Sequence, residues 1–380
     1  SSSAIAHISF APAGAPTPTP TPTPTPAPTP WPCGADLDLD SDVDVACPAG
    51  DVDGDGYTTT DCDDTNRYMY PGITTTAGCS AGQYKQCTGP SYTACANIST
   101  YDPGGADDAF WVSADETDCS GAGTYADPED YRCHFNTGMS GYTAPTSGDY
   151  IILKCSGGDY TAKWGAAPER MFYLNNINGV HIVNEPGCAF WEAGYGLGTV
   201  INGQGTSPNY IFPVNIFDSL GTEIRGLEID GTGGYSTTGI NFAGEGGRVH
   251  GNYVHDIDGE SGDNNTCIYN NNTNNHEVDH NLTKNCVEIG TEDNSNNVNI
   301  LTMESESGVL VHHNVSIGGG AQGYGNCIKS KHGGVGASGQ TIDIYKNICY
   351  NFRQKGIVAG CIDNLHIYNN FLHTTGTIDG

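Results

Sequence analysis

From about residue 146 onward the hydrophobic positions fall in short β-branched runs that return at a fixed phase. Five segments share one pattern: VHGNY from Val249, VDHNL from Val278, VHHNV from Val311, IYKNI from Ile344 and IYNNF from Ile367. Each has a β-branched residue, two variable residues, an asparagine and then an apolar or aromatic residue, at intervals of 29, 33, 33 and 23 residues. VHIVN at Val180 and EIRGLEIDG at Glu223 are looser copies. A second phase begins GIN at Gly239, CIY at Cys267, CIK at Cys327 and GIV at Gly356, where an isoleucine expected to point inward follows a small residue or a cysteine. One short strand and one asparagine turn per repeat predict a solenoid in which each coil covers the last. Asn252, Asn281, Asn314, Asn347 and Asn370 share one phase, as expected for stacked residues that accept a left-handed turn and bond to the coils above and below.

Composition rules out the helical versions of such a solenoid. The chain has 53 glycines and long runs of Asn, Thr, Ser and Asp, which favour turns and caps over helix interiors. The predicted class is all-β. On the repeats just given, residues 146–380 resemble a right-handed parallel β-helix of the kind found in pectate-lyase-like proteins. At about 27 residues per coil this predicts eight or nine coils, and a stack roughly 40 Å long.

Ahead of the solenoid the pattern changes three times. Residues 1–14 contain AIAHISF, in which Ile5, His7 and Ser9 alternate with Ala6, Ile8 and Phe10. This strand-like segment either frays or docks on another chain by adding a strand to its sheet edge, with Ile5, Ile8 and Phe10 as the assembly residues. Residues 15–32 place proline at nearly every second position, which fixes φ and predicts a polyproline II arm reaching roughly 55 Å. Thr17, Thr19, Thr21, Thr23, Thr25 and Thr29 sit exposed beside prolines, the composition of an O-glycosylated stalk, with an undecorated linker as the alternative. Residues 33–145 are dense in cysteine and aspartate and read as a small module stabilised by disulfides and metal. The simplest pairings there join sequential neighbours, Cys87 with Cys95 and Cys119 with Cys133.

Charge then narrows the partners. With 14 Lys+Arg against 44 Asp+Glu the formal net charge is -30, which repels nucleic acid and anionic membranes and attracts divalent cations. Fifteen cysteines suit an oxidising compartment. No run of about 18 apolar residues is present to span a bilayer. The sequence begins without Met, and we expect a mature secreted chain, extracellular or at the cell surface, whose signal peptide has been removed.

The most specific acidic motif is DVDGDGYTTTDCDD, starting at Asp51. Asp51, Asp53 and Asp55 alternate before a turning glycine, and the Tyr57 carbonyl adds an oxygen, which is most of the shell that calcium wants. An EF-hand loop would close with Glu at its twelfth position; that position is Cys62, so Asp61, Asp63 or Asp64 must close it. The whole span Asp51 to Gly72, with its DxDGDGY run, DCDD box and PG pair, is similar to the metal-binding repeat of MopE-type secreted bacterial proteins. That resemblance implies Asp51, Asp53, Asp55, Asp61, Asp63 and Asp64 as ligands, and calcium as the hard cation for an all-oxygen set. A second, weaker site is Asp38, Asp40 and Asp42, on one side of ADLDLDSDVDVAC; an exposed acidic edge is the alternative reading.

Candidate catalytic residues follow from the β-helix resemblance, since many proteins of this look cleave acidic polysaccharides with a Lys or Arg base and calcium. NCIKSKHGG offers Lys329, Lys331 and His332, and FRQKG one coil later offers Arg353 and Lys355. Carboxylates for a cation stand at Glu288, Glu292, Asp293, Glu304 and Glu306, and Asp256, Asp258, Glu260 and Asp263 could serve a hydrolase instead. His276, His280, His312 and His313 are candidates for a transition metal, although His276 and His280 converge only if their strand bends. Two functions remain. The first is a calcium-binding, glycosylated structural subunit that assembles head to tail into an extracellular filament. The second is a carbohydrate-active enzyme, a calcium-dependent lyase or a hydrolase, acting on acidic polysaccharide.

Overall fold

A computed structural model describes residue 62 and residues 67–374, apart from 104–108, 136–138, 157, 162–169, 194–197, 203–211, 233–237, 258–264, 272–273, 287, 290–297, 304–306, 319–322, 332–339, 353–354 and 361. The strand-like Ile5, Ile8 and Phe10, the threonines of the Pro-Thr arm, and the calcium candidates Asp38, Asp40, Asp42, Asp51, Asp53, Asp55, Tyr57, Asp61, Asp63 and Asp64 lie outside the described residues.

Each solenoid coil contributes one strand to each of three parallel sheets, which have ten, eight and seven strands among the described residues. One coil runs Arg248–His250, Tyr253–His255 and Thr266–Asn271. Alternation of side chains along such short strands sends the central residue inward, and the register stacks these residues from coil to coil. On the ten-stranded sheet the inward column is Ile151, Ile182, Ile224, Val249, Val278, Val311 and Ile344. On the seven-stranded sheet it is Phe172, Val214, Ile240, Ile268, Ile300, Ile328 and Ile357. The column on the eight-stranded sheet turns polar at Thr283 and Ser316, whose hydroxyls bond each other at 2.7 Å.

The count departs from the expected eight or nine coils. Seven complete coils run from Tyr150 to Asn364, followed by two strands of an eighth. The seven steps average about 31 residues because the corners carry insertions, the longest coil taking 42 residues from His181 to Glu223. The ten-stranded sheet also continues below residue 146, through Ala109–Ser113 and Glu129–Asp130, both paired in parallel.

The asparagine turn is a hydrogen-bonded ladder. Nδ2 of Asn252, Asn281, Asn314 and Asn347 each donates to Oδ1 of the next asparagine at 3.0 Å, ending on Asn370. The same Oδ1 atoms accept the backbone N–H of the asparagine one coil back. Each Nδ2 also donates to the carbonyl of the β-branched residue one coil back: Ile224, Val249, Val278, Val311 and Ile344. The left-handed conformation falls on the residue before the ladder asparagine, at Gly251, His280, His313, Lys346 and Asn369, with φ between 51° and 58° in every case. Leu227 holds the ladder position in the looser copy, and its N–H donates to Asn252 Oδ1 at 3.1 Å.

The cysteine module contributes a three-stranded antiparallel sheet of Thr74–Thr75, Gln83–Gln86 and Ala96–Asn97. Its disulfides are Cys62–Cys87 and Cys79–Cys95, which corrects the expected Cys87–Cys95 pair; Cys119–Cys133 forms as expected. Antiparallel pairing of Thr74–Thr75 with Lys85–Gln86 sets Cys87 beside the chain entering from Cys62, and Cys79, in the intervening turn, meets Cys95 ahead of the third strand. Within the solenoid, Cys267–Cys286 and Cys327–Cys349 each join neighbouring coils at the corner between the eight- and seven-stranded sheets. Between them Asn299 occupies the corresponding place and donates to the Thr283 and Ile317 carbonyls at 3.2 Å.

Two outcomes follow for stability. Asn314→Ala removes a buried amide with partners in two neighbouring coils and should cost about 3 kcal/mol or more in chemical denaturation. Cys267→Ser with Cys286→Ser opens a link of sequence separation 19 and should cost about 3 kcal/mol, read as a lower denaturation midpoint.

Candidate functional site

The outward residues of the eight-stranded sheet bring one compact group of charges together. Glu228 and Asp230 flank inward Ile229, and one coil on Tyr253 and His255 flank inward Val254. His255 Nε2 stands 3.1 Å from Glu228 Oε1, and its Nδ1 stands 2.7 Å from Asp256 Oδ2 and 3.8 Å from Asp230 Oδ1. The imidazole stacks on the Tyr253 ring at 4.2 Å, which fixes its plane. Asp256 turns the corner with φ 51°, and Asn285 Nδ2 donates to its Oδ1 at 2.9 Å. Lys284 lies one coil further on, in register with His255.

The group opens to solvent on one side. The side chains of Asp230 and Asp256 are 28% and 38% exposed, whereas Glu228 is buried. Burial opposes charging of His255, but hydrogen bonds to Asp256 and Glu228 and the field of Asp230 outweigh it and raise its pKa to about 9. Burial likewise opposes ionisation of Asp256, and His255, Asn285 and Lys284 overcome it and hold the carboxyl below its usual range. Three acidic side chains therefore surround one imidazolium, with the Lys284 amine one coil on. Oxygens of Asp230 and Asp256 suit a hard divalent cation, and Asp230, His255 and Asp256 offer ligand atoms within 4.8 Å of one another.

The sequence candidates distribute differently. Lys329 and Lys331 occupy alternate positions on the strand Asn326–Lys331, in register with Leu301 and Met303. Inward Ile328 and Ser330 leave Lys329 on the outer face of the seven-stranded sheet, two coils beyond His255. His332 and Arg353 lie outside the described residues, as do Glu292, Asp293, Glu304, Glu306, Asp258, Glu260 and Asp263. Of the hydrolase candidates, the described Asp256 belongs to the group just given.

A second polar belt covers the ten-stranded sheet, beneath the Arg67 to Tyr70 segment of the cysteine module. Tyr70 OH bonds His250 Nδ1 at 2.6 Å, and His250 Nε2 and His181 Nδ1 hold the two Glu223 oxygens at 2.6 and 2.7 Å. Burial alone would raise the pKa of Glu223, but Arg225 and the two histidines take it well below the carboxylate range. Arg225 also donates to Tyr101 OH at 3.0 Å, and Arg67 donates to the His313 carbonyl at 3.0 Å. Tyr70 packs on His280 with ring centroids 4.3 Å apart. His276 does not join the other histidines: it is fully buried and stacked on Phe242, while His280 and His313 stack on each other at the turn.

Stacked parallel coils in three sheets define the class as a parallel β-helix, in agreement with the sequence resemblance. No protein-family model matches the chain, and no curated protein does. Among solved structures it is similar to one titled "Crystal structure of pectate lyase Pel9A", at 13% identity and a TM-score of 0.45, over 72% of this chain and 66% of that one. The match thus spans just under two thirds of that structure's length. Among the described residues, no helix is long and apolar enough to cross a membrane.

The belt gives the protein an acid limb. Burial lowers the pKa of His280 from its ordinary 6.5 to about 4, so the folded chain refuses a proton that the unfolded chain accepts. Stability is complete above pH 6.5 and is lost as pH falls toward 4, by at most about 3 kcal/mol from this group. Melting temperature should fall across that window, and His280→Asn, which tolerates the left-handed turn, should flatten the fall.

Proposed function

We propose that this chain is a secreted carbohydrate-active protein that takes acidic polysaccharide at the Glu228, Asp230, His255 and Asp256 group and cleaves it by β-elimination. The observation that carries the reading is the solvent-open set of three carboxylates and an imidazolium with Lys284 one coil away. Asp230 and Asp256 would hold calcium, whose hard-cation chemistry suits their oxygens. Bound there, calcium would neutralise a substrate carboxylate and make the proton on the adjacent ring carbon more acidic. His255 stays a hydrogen-bond donor that keeps the carboxylates in place.

Lys284 would accept the proton from the carbon next to the uronate carboxylate. The electron pair left behind forms the new ring C=C bond as the neighbouring glycosidic C–O bond breaks, and the departing oxygen takes a proton from water. Lys329 offers positive charge to the same polymer on the seven-stranded sheet. The disulfide content fits secretion, and calcium at the Asp51 to Asp64 motif and glycans on the Pro-Thr arm belong to the same extracellular reading.

Incubation with polygalacturonate and alginate should give ultraviolet absorbance from unsaturated products that disappears with chelator. Lys284→Ala and Asp256→Asn should each lose about 100-fold or more in rate at unchanged melting temperature. Silence with every polyuronate tried would remove the lyase reading. A second reading is the filament subunit assembled through the N-terminal arm. It requires filaments by electron microscopy with calcium present, and a chain that stays monomeric by light scattering contradicts it.

A further inference from the structure

A different group of side chains, on the ten-stranded sheet, has the donor set of a transition-metal centre. Glu277 and Asp279 flank inward Val278 on one strand and so share its outer face. His312 lies beside Asp279 on the next strand. His312 Nε2 approaches Glu277 Oε1 to 2.7 Å, and Glu277, Asp279 and His312 all present ligand atoms within 4.8 Å of one another. We propose that Glu277, Asp279 and His312 bind a divalent transition metal of the zinc class, in competition with Arg248.

The donor chemistry separates this group from an oxygen-only calcium site. An imidazole nitrogen with two carboxylate oxygens suits zinc or cobalt, and three protein ligands leave a fourth position for water or another ligand. Access comes from the Glu277 side, where the side chain is 32% exposed, while Asp279 is fully buried and anchors the floor. The outer shell is also in place. His312 Nδ1 lies 2.6 Å from His313 Nδ1, so that a metal on Nε2 leaves an Nδ1–H to donate to His313. His280 Nδ1 bonds Asp279 Oδ2 at 2.6 Å and orients that carboxylate.

Arg248 is the counterweight. Its Nε donates to Asp279 Oδ1 at 2.7 Å and lies 3.4 Å from Glu277 Oε2, and its Nη2 is 2.5 Å from Asp279 Oδ2. The guanidinium thus bonds the same two carboxylates that the ion needs. A metal entering from the Glu277 side must take a share of the Asp279 oxygens from Arg248, whose side chain is 32% exposed and can withdraw toward solvent. Binding is therefore weakened by Arg248, a dependence that a merely structural ion pair would not show.

The test uses cobalt as the probe on the full chain, with calcium in excess to occupy oxygen-only sites. Cobalt should give the visible absorption of a low-coordinate nitrogen- and oxygen-ligated ion, and zinc should displace it. His312→Gln should abolish the band, and His313→Asn, which keeps the left-handed turn, should weaken binding about 10- to 100-fold. Arg248→Gln should tighten cobalt binding, and His255→Gln, in the group on the eight-stranded sheet, should leave the band unchanged. Melting curves on each variant establish that it is folded. A band that survives His312→Gln in a folded protein, no band in the unmodified chain, or binding weakened by Arg248→Gln overturns the proposal. A band lost with His255→Gln also overturns it and assigns the metal to the other sheet. Because the polysaccharide assay reads the eight-stranded sheet, either reading can fail alone.

Discussion

The structure depends on the hydrogen-bonded asparagine column at the corner between the ten- and eight-stranded sheets. A parallel strand of three residues has too few ladder bonds to fix its own register, and a slip of one residue would exchange its inward and outward sides. The column removes that freedom. Each ladder amide bonds to the coil before and the coil after, so every coil is locked in phase with its neighbours. Burial makes the lock strong, since an amide at this depth has no water to turn to. The left-handed residue just before the asparagine bends the chain between the sheets, so glycine fits at residue 251, and His280 and His313 adopt the same conformation at a steric cost.

Fixed phase is what creates the candidate sites. Counting from the ladder asparagine, the residue two positions back faces out on the ten-stranded sheet, giving His250, Asp279, His312 and Tyr345 along the stack. The residue three positions forward faces out on the eight-stranded sheet, giving His255, Lys284, Ile317 and Tyr350. Chemical groups from coils about 30 residues apart therefore stand roughly 5 Å from each other without any loop having to place them. The module segment from Arg67 to Tyr70 covers the first column, which explains why Glu223, Asp279 and the histidines there are held in closed hydrogen-bond networks. The second column opens to solvent at Asp230 and Asp256.

Much of the fold was legible because the ladder asparagine is a local signal. A β-branched residue three positions before it and an apolar residue after it identify the turn, and one turn per coil gives the architecture. The conformational detail was displaced by one residue: the left-handed φ sits before the asparagine, whose side chain is already committed to its neighbours. Coil number was overestimated because insertions at corners leave no periodic trace, as between His181 and Glu223. Disulfide pairing followed strand geometry in the cysteine module instead of sequence adjacency, since antiparallel pairing places Cys79 and Cys87 on different partners.

The carboxylate group was only partly visible, through Asp256, because its members are far apart in the chain and Asp230 belongs to a coil with leucine at the ladder position. Reading each coil from its ladder residue recovers it. Leu227 then gives Asp230 at three positions forward, Asn252 gives His255 and Asp256 at three and four, and Asn281 gives Lys284 and Asn285. The lysines of NCIKSKHGG drew attention because they are clustered in sequence, but that strand belongs to the seven-stranded sheet, past the inserted loops, and its phase relative to the ladder differs from coil to coil. Clustering along the chain is thus a poor guide to position in a solenoid. Equal distance from the ladder residue is the better one, since it is the ladder that converts sequence offset into position in space.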